Sequence, residues 1–224
     1  METPQTQEAA RAALIDSLVR DLRPVRRLWP VNARLAVWLL LEAAFLILVV
    51  VSGSRPDLPE KIRSLRYVLE VIAFVAAGTL AAILALRAAI PGCEAAKGEL
   101  ELAVAMAAAA ILFVFSEPMT LDVPLGGFIQ AGLWCAFCTG SVAAIPWIAL
   151  LWTVRRGAPM AVATAGGLIG TAAFFFSLAV TRMGCSIDDR IHFFTWHVIP
   201  SLVGISLSVL AGIAWLRRKS PATL

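Results

Sequence analysis

The chain has 224 residues, of which 60% are hydrophobic and 15% charged, and its mean hydropathy is +0.84. Soluble domains run at about half apolar and about a quarter charged, so this composition excludes a soluble globular enzyme, and it equally excludes a disordered chain. The net charge of +4 does not make it a nucleic-acid module, because its cations gather at the ends of long apolar stretches.

Residues 1–33 are polar and basic, and no apolar core with a small-residue cleavage site marks them as a signal peptide. Leu14, Ile15, Leu18, Val19 and Leu22 recur there at helical spacing among Arg11, Asp16, Arg20 and Asp21. This predicts a short amphipathic helix. Pro24 and Pro30 end it and frame Arg26-Arg27-Leu28-Trp29. Such a helix can lie on the lipid surface or dock a cytoplasmic partner.

Six apolar stretches follow: about 35–52, 67–90, 99–116, 128–154, 160–181 and 193–216. A spanning helix needs about 20 mostly apolar residues, so the reading is an all-α integral membrane protein. It has six transmembrane helices (residues 34–216), an amino-terminal arm (1–33) and a short tail (217–224). Pro146 and Pro200 predict kinks. Gly166, Gly167 and Gly170, with Ala163 and Ala173, make a small-residue strip that lets helices approach closely. Glu42, deep in the first stretch, is expected to face the bundle and bond to another span. The near-absence of other charge in the stretches, and of an internal repeat, argues against an ion-driven transporter or metal permease.

Lys and Arg concentrate on the cytoplasmic side of membrane proteins. With the amino terminus inside, thirteen of the 19 cations lie inside; Arg55, Lys61, Arg63, Arg66, Arg182 and Arg190 lie outside. Both termini are therefore expected in the cytoplasm of a bacterial inner membrane, although the first outer loop holds four of the outer cations. The outer loops fall at about 53–66, 117–127 and 182–192. None is long enough to form a domain.

Of the four cysteines, this topology puts Cys93 inside and Cys135, Cys138 and Cys185 toward the oxidising compartment, where disulfides persist. Cys135 and Cys138 form a C-x-x-C whose thiols share one helix face. Cys185 is followed by Asp188, Asp189, His192 and His197. Thiolate, imidazole and carboxylate suit a soft or borderline metal ion. The same residues also admit plainer roles: small packed cysteines, an interfacial His192, and a His197 bonded to a neighbouring helix. No resident cofactor is expected, only a heavy-metal ion captured transiently at the cysteines.

The run from Leu14 to Leu28 resembles the opening of the NrsF family of membrane anti-sigma factors. So do Pro146 followed by Arg155-Arg156-Gly157-Ala158-Pro159 ahead of a glycine-rich fifth span, and Gly184-Cys185-Ser186-Ile187-Asp188-Asp189 leading to Trp196-His197. The resemblance covers nearly the whole chain. It implies a non-enzymatic inner-membrane protein that holds an extracytoplasmic-function sigma factor inactive and releases it on heavy-metal or oxidative stress. Its partners would be that sigma factor and lipid, with no direct contact to nucleic acid. Two periplasmic-side cysteines perceive the signal in that family; one corresponds to Cys185, and either Cys135 or Cys138 can supply the other. Leu14, Leu18 and Leu22 would anchor the sigma factor, with Arg20, Arg26 and Arg27 beside them. The competing enzymatic reading is a thiol-disulfide oxidoreductase that passes electrons from Cys135/Cys138 to a quinone.

Overall fold

A computed structural model of the chain describes residues 4–20, 27–116 and 125–217, and among these there is no β-strand. The helices are α1 (Pro4–Arg20), α2 (Val31–Gly53), α3 (Leu58–Lys61), α4 (Leu65–Ala88), α5 (Lys97–Val114), α6 (Leu125–Arg155), α7 (Val162–Gly184), α8 (Arg190–Phe193) and α9 (Ile199–Leu216). One π-helical turn, Phe194–Val198, joins α8 to α9 into a single span.

Five of the six predicted spans are long and apolar enough to cross a membrane: α2, α4, α6, α7 and the α8–α9 unit. The third stretch is helical as α5, and the charges of Lys97, Glu99 and Glu101 among its first five residues keep it out of that group. It still runs along the whole of α4, since Arg87 near the end of α4 pairs with Glu99 while Arg66 at its start donates to the Phe113 carbonyl at 2.9 Å. Glu99 fastens the α4–α5 turn: it accepts from the Ala96 backbone N–H at 2.8 Å and from Arg87 at 2.5 Å. The outward face of α5 is apolar, with Leu102, Val104 and Leu112 exposed, as suits contact with lipid.

The most deeply buried helix, α7, lies between α4 and α9 and against α6. Its glycine strip faces α9. A Cβ on Gly166 would meet the Gly212 Cα at 3.0 Å, and one on Gly170 would meet the Ser208 Cβ at 2.6 Å. Only hydrogen fits at those positions. The close approach also lets Ser208 donate to the Gly166 carbonyl at 2.6 Å while it accepts from Trp147 Nε1 at 2.7 Å. Pro146 lies inside a continuous α6, and Pro200 follows the π turn.

The buried positions of α2 are Arg34, Trp38 and Glu42, one stripe at intervals of four. Trp38 stands edge-on to Phe176 and donates to the Pro146 carbonyl at 3.1 Å. Glu42 faces the bundle as expected, but the expected bond to another span does not form. Both of its carboxyl oxygens are buried without a hydrogen-bond partner among the described residues.

The two ends of the bundle are distinct. At one, Ala158 N–H donates to the Ala89 carbonyl, Arg34 donates to the Leu86 carbonyl, and Arg155 lies over Trp215. This gathers the predicted inner loops. At the other, Arg55 meets Asp188, and Tyr67 donates to the Arg182 carbonyl at 2.9 Å. That joins the first and third predicted outer loops.

Candidate functional site

At the second end, four side chains from three spans converge. Cys135 comes from α6, Cys185 caps the carboxyl end of α7, and His192 and His197 come from the last span. Their ligand atoms all lie within 4.8 Å of one another. The Cys135 and Cys185 sulfurs are 3.7 Å apart, and Cys185 Sγ is 3.7 Å from His192 Nε2. Both histidines are buried, at 0% and 1% exposure.

The π turn brings the two imidazoles together. In an α-helix, residues five apart point about 140° away from each other. A π turn closes i to i+5 instead, and the turn Phe194–Val198 starts two residues after His192 and contains His197. Their ring centroids are 5.6 Å apart. Aromatic residues enclose the pair: Phe193 stacks on His197 and Phe128 stands edge-on to His192. Trp196, on the same turn, fills the space beside Gly132 that any larger residue would need.

The orientation of His197 is set by α6. Thr139 donates its hydroxyl proton to the Cys135 carbonyl at 2.9 Å, so it can only accept from His197 Nδ1, 3.0 Å away. The ring proton then sits on Nδ1. His197 Nε2 is left bare and buried, with no hydrogen-bond partner among the described residues. Ser177 of α7 holds Thr139 in place by donating to its carbonyl at 2.7 Å.

A hydrogen bond from Cys135, and a further one from His192, hold the Cys185 thiol well below its ordinary pKa despite burial. A thiolate is the reactive and metal-binding form of cysteine. Cys138 stands apart from this cluster. It lines a cavity of about 300 Å³ together with Leu48, Val49, Val180, Cys135 and Cys185, so thiophilic reagents entering there would meet three thiols. Cys93 is exposed on the α4–α5 turn, at the opposite end.

The two candidate carboxylates do other work. Asp188 accepts from Arg55 at 2.7 Å and from Arg182 at 3.1 Å, and pairs with Lys61 at 2.7 Å. Burial opposes its charge, but hydrogen bonds from Arg55 and Lys61 outweigh that and hold its carboxyl well below the usual range. Asp189 caps α8, accepting from Ile191 N–H at 2.9 Å. A third acid, Glu70 of α4, was not singled out in the sequence reading. It is buried at 1% exposure and pairs with Arg182 at 3.1 Å and with Arg66 and Arg190 at 3.4 Å each. Three of the four cations of the first outer loop, Arg55, Lys61 and Arg66, are thus neutralised by acids. The network fixes the loop that carries Cys185.

The amino-terminal arm has a different character. Leu14 and Leu18 are about 60% exposed on α1, beside Ile15 and Val19. Arg20 pairs with Asp16 one turn back, and Arg27 is exposed. Leu22 and Arg26, and all but the first residue of the carboxyl-terminal tail, lie outside the described residues.

A family model described as NrsF, negative regulator of sigma F, matches residues 18–218. The match takes in every residue of the thiol–imidazole cluster. No curated protein and no solved structure matches the chain.

Proposed function

We propose, for a chain that belongs to the NrsF family of negative regulators of sigma F, that it holds an extracytoplasmic-function sigma factor at the inner membrane and frees it when the outer thiols are modified. Family membership makes it an anti-sigma factor with a sigma-factor partner. The observation that carries the sensing part is the contact between Cys135 and Cys185, whose sulfurs are 3.7 Å apart at the end of the bundle opposite to the α4–α5 turn.

The arm docks the sigma factor. Leu14 and Leu18 stand one turn apart, the spacing by which helices fill apolar grooves, and nothing among the described residues covers them. The thiols face the periplasm. A heavy-metal ion bridges the two sulfurs, or an oxidant joins them. With hypochlorous acid the balance is simple: two thiolates lose two electrons, the S–S bond forms, and the oxidant leaves as chloride and hydroxide.

Either event alters how α6 meets α7. α6 has 31 residues and so spans about 46 Å. About two thirds of the way along it the Pro146 carbonyl accepts from Trp38 of α2, the helix into which the arm leads. A shift of α6 therefore acts on the base of the arm. A switch from 1:99 to 99:1 needs about 5.5 kcal/mol of differential binding. Thiolate–metal bonds supply this amply, since structural zinc sites in peptides reach about 10–16 kcal/mol.

The test is capture of the sigma factor. The full chain, solubilised in detergent and carrying an affinity tag, is co-expressed with the sigma factor. Retention of the sigma factor on the resin, and its release on adding cadmium or hypochlorite, is the expected result. No retention in unstressed preparations would remove the anti-sigma mechanism.

A further inference from the structure

We infer that Cys135, Cys185, His192 and His197 form a closed, four-coordinate site for a resident divalent ion of the zinc class, whose presence keeps the protein in its repressing state. The inference deepens the sensing reading above and rests on it. It differs in one respect: the ion is there before the stress arrives, and the stress removes it.

Two edges of the cluster match those of a tetrahedral site, and the other ligand atoms lie close to it. Zinc binds thiolate at about 2.3 Å and imidazole at about 2.0–2.1 Å, so the edges of its tetrahedron are about 3.8 Å between sulfurs and about 3.6 Å from sulfur to nitrogen. Cys135 and Cys185 are 3.7 Å apart, as are Cys185 and His192. The four ligand atoms fit within 4.8 Å of one another. Two thiolates and two imidazoles make a closed structural set rather than an open catalytic one. Two thiolates also balance the charge of a divalent ion, so the filled site is neutral where the surroundings are apolar.

Three features of the protein make sense only for a ligand between these side chains. His197 Nε2 is buried and without a partner among the described residues. Thr139 fixes the tautomer that aims this lone pair into the cluster, the role that outer-shell groups play for metal-ligating histidines. The π turn, an irregularity frequent at functional sites, aligns two histidines that a regular helix would separate. The ion would bind α6, α7 and the last span to one point. Oxidation of the two thiolates to a disulfide, by hypochlorous acid as balanced above, leaves two imidazoles, too few to retain the ion.

The experiment uses the detergent-solubilised full chain, stripped of metal and titrated with cobalt(II) in place of zinc. One equivalent is expected to give the intense red-region bands of tetrahedral cobalt and a thiolate charge-transfer band in the near ultraviolet; zinc then abolishes both. His197→Gln and Cys135→Ser should each lose the tetrahedral bands, whereas Cys138→Ser and Cys93→Ser keep them. Thr139→Val should retain the spectrum but weaken cobalt binding by roughly 10–100-fold, as loss of an outer-shell partner does. In cells, Cys185→Ser should raise sigma-dependent output without stress. Octahedral or no binding by the wild-type chain would overturn the inference, and so would bands that survive His197→Gln and vanish in Cys138→Ser. Those results leave capture of the sigma factor intact, so the two readings fail separately. A Cys185→Ser strain locked in repression would overturn the role assigned to the ion.

Discussion

Cys135 and Cys185 are 50 positions apart in the chain, yet their sulfurs are 3.7 Å apart. This contact, rather than the nearer Cys135–Cys138 spacing, defines the thiol pair. Cys135→Ser should therefore reproduce the signalling defect of Cys185→Ser in direction and size. Cys138→Ser should keep a response to cadmium and hypochlorite, and Cys93→Ser, at the opposite end, should behave as wild type. Sigma-dependent reporter output with and without each agent measures all four. Loss of response in Cys138→Ser alone would shift the pair to the C-x-x-C.

The ion pairs around Asp188 and Glu70 account for the cations that spoil the charge asymmetry. Arg55, Lys61 and Arg66 sit there as partners of acids, and even with all three counted outside, thirteen of the 19 cations lie inside, which favours a cytoplasmic amino terminus. A reporter active only in the periplasm, fused before residue 10, should be silent. The same reporter placed in the 182–192 loop should be active. Activity at the first position would invert the topology.

Asp188 also gives the outer end a pH dependence. Its carboxyl is held below the ordinary value by Arg55 and Lys61. A depressed carboxylate contributes stability that is complete above its unfolded pKa of about 3.9 and is lost as pH falls through the folded value. Asp188→Asn should lower thermal stability at pH 7 by about 1 kcal/mol, the upper range for pairs that water still reaches, and flatten the decline below about pH 4. Glu70→Gln is the harsher change. It removes the one buried acid that Arg182, Arg190 and Arg66 share and leaves Arg182 only the half-exposed Asp188, so the cost should approach the roughly 3–5 kcal/mol of a broken buried pair. Unfolding of the solubilised protein followed by circular dichroism compares the two; equal effects would contradict the burial difference.

The spans and the arm were legible in the sequence because both depend on short-range patterns. Hydropathy marks α2, α4, α6, α7 and the last span, and the spacing of Leu14 and Leu18 marks a helix face. The set of four ligands was only partly legible. Cys135, Cys185, His192 and His197 were all visible as candidates, but so were Cys138, Asp188 and Asp189, and nothing in local spacing separates the groups. On a regular helix His192 and His197 would point about 140° apart, and the π turn that brings them together is not a feature of local spacing. Glu70 was missed for a similar reason. Its partner Arg182 is 112 positions away, and a single acid near the start of a span looks like an interfacial residue until that partner is in place. α5 is less apolar than the other spans because its three charges cluster in the first turn and a half.

The arm supplies the most direct test of partner binding. Leu18 is 60% exposed and lies outside the bundle, so Leu18→Asp removes no packing within it. A carboxylate in an apolar groove must be desolvated without a partner, which costs several kcal/mol. The variant should accumulate at the wild-type level, lose the sigma factor in the capture experiment, and raise target-gene output without stress. Normal accumulation with full repression would place the docking surface elsewhere.

Trp38 tests how the two ends communicate. Its indole N–H reaches from α2 to the Pro146 carbonyl of α6 at 3.1 Å, while its ring stands 5.0 Å from that of Phe176. Trp38→Phe keeps an aromatic ring against Phe176 and removes the donor. A buried hydrogen bond of this kind contributes about 1 kcal/mol, equivalent to about a five-fold change in the balance between repressing and releasing states. If α6 acts on the arm through this bond, repression at rest should persist and the response to cadmium should fall about five-fold. Metal binding at the thiols should be unchanged, because Trp38 is no part of the cluster. Measuring cobalt binding and reporter output in the same variant separates a transmission defect from a sensing defect. An unaltered cadmium response would show that the signal reaches the arm by a route that does not include the α2–α6 contact.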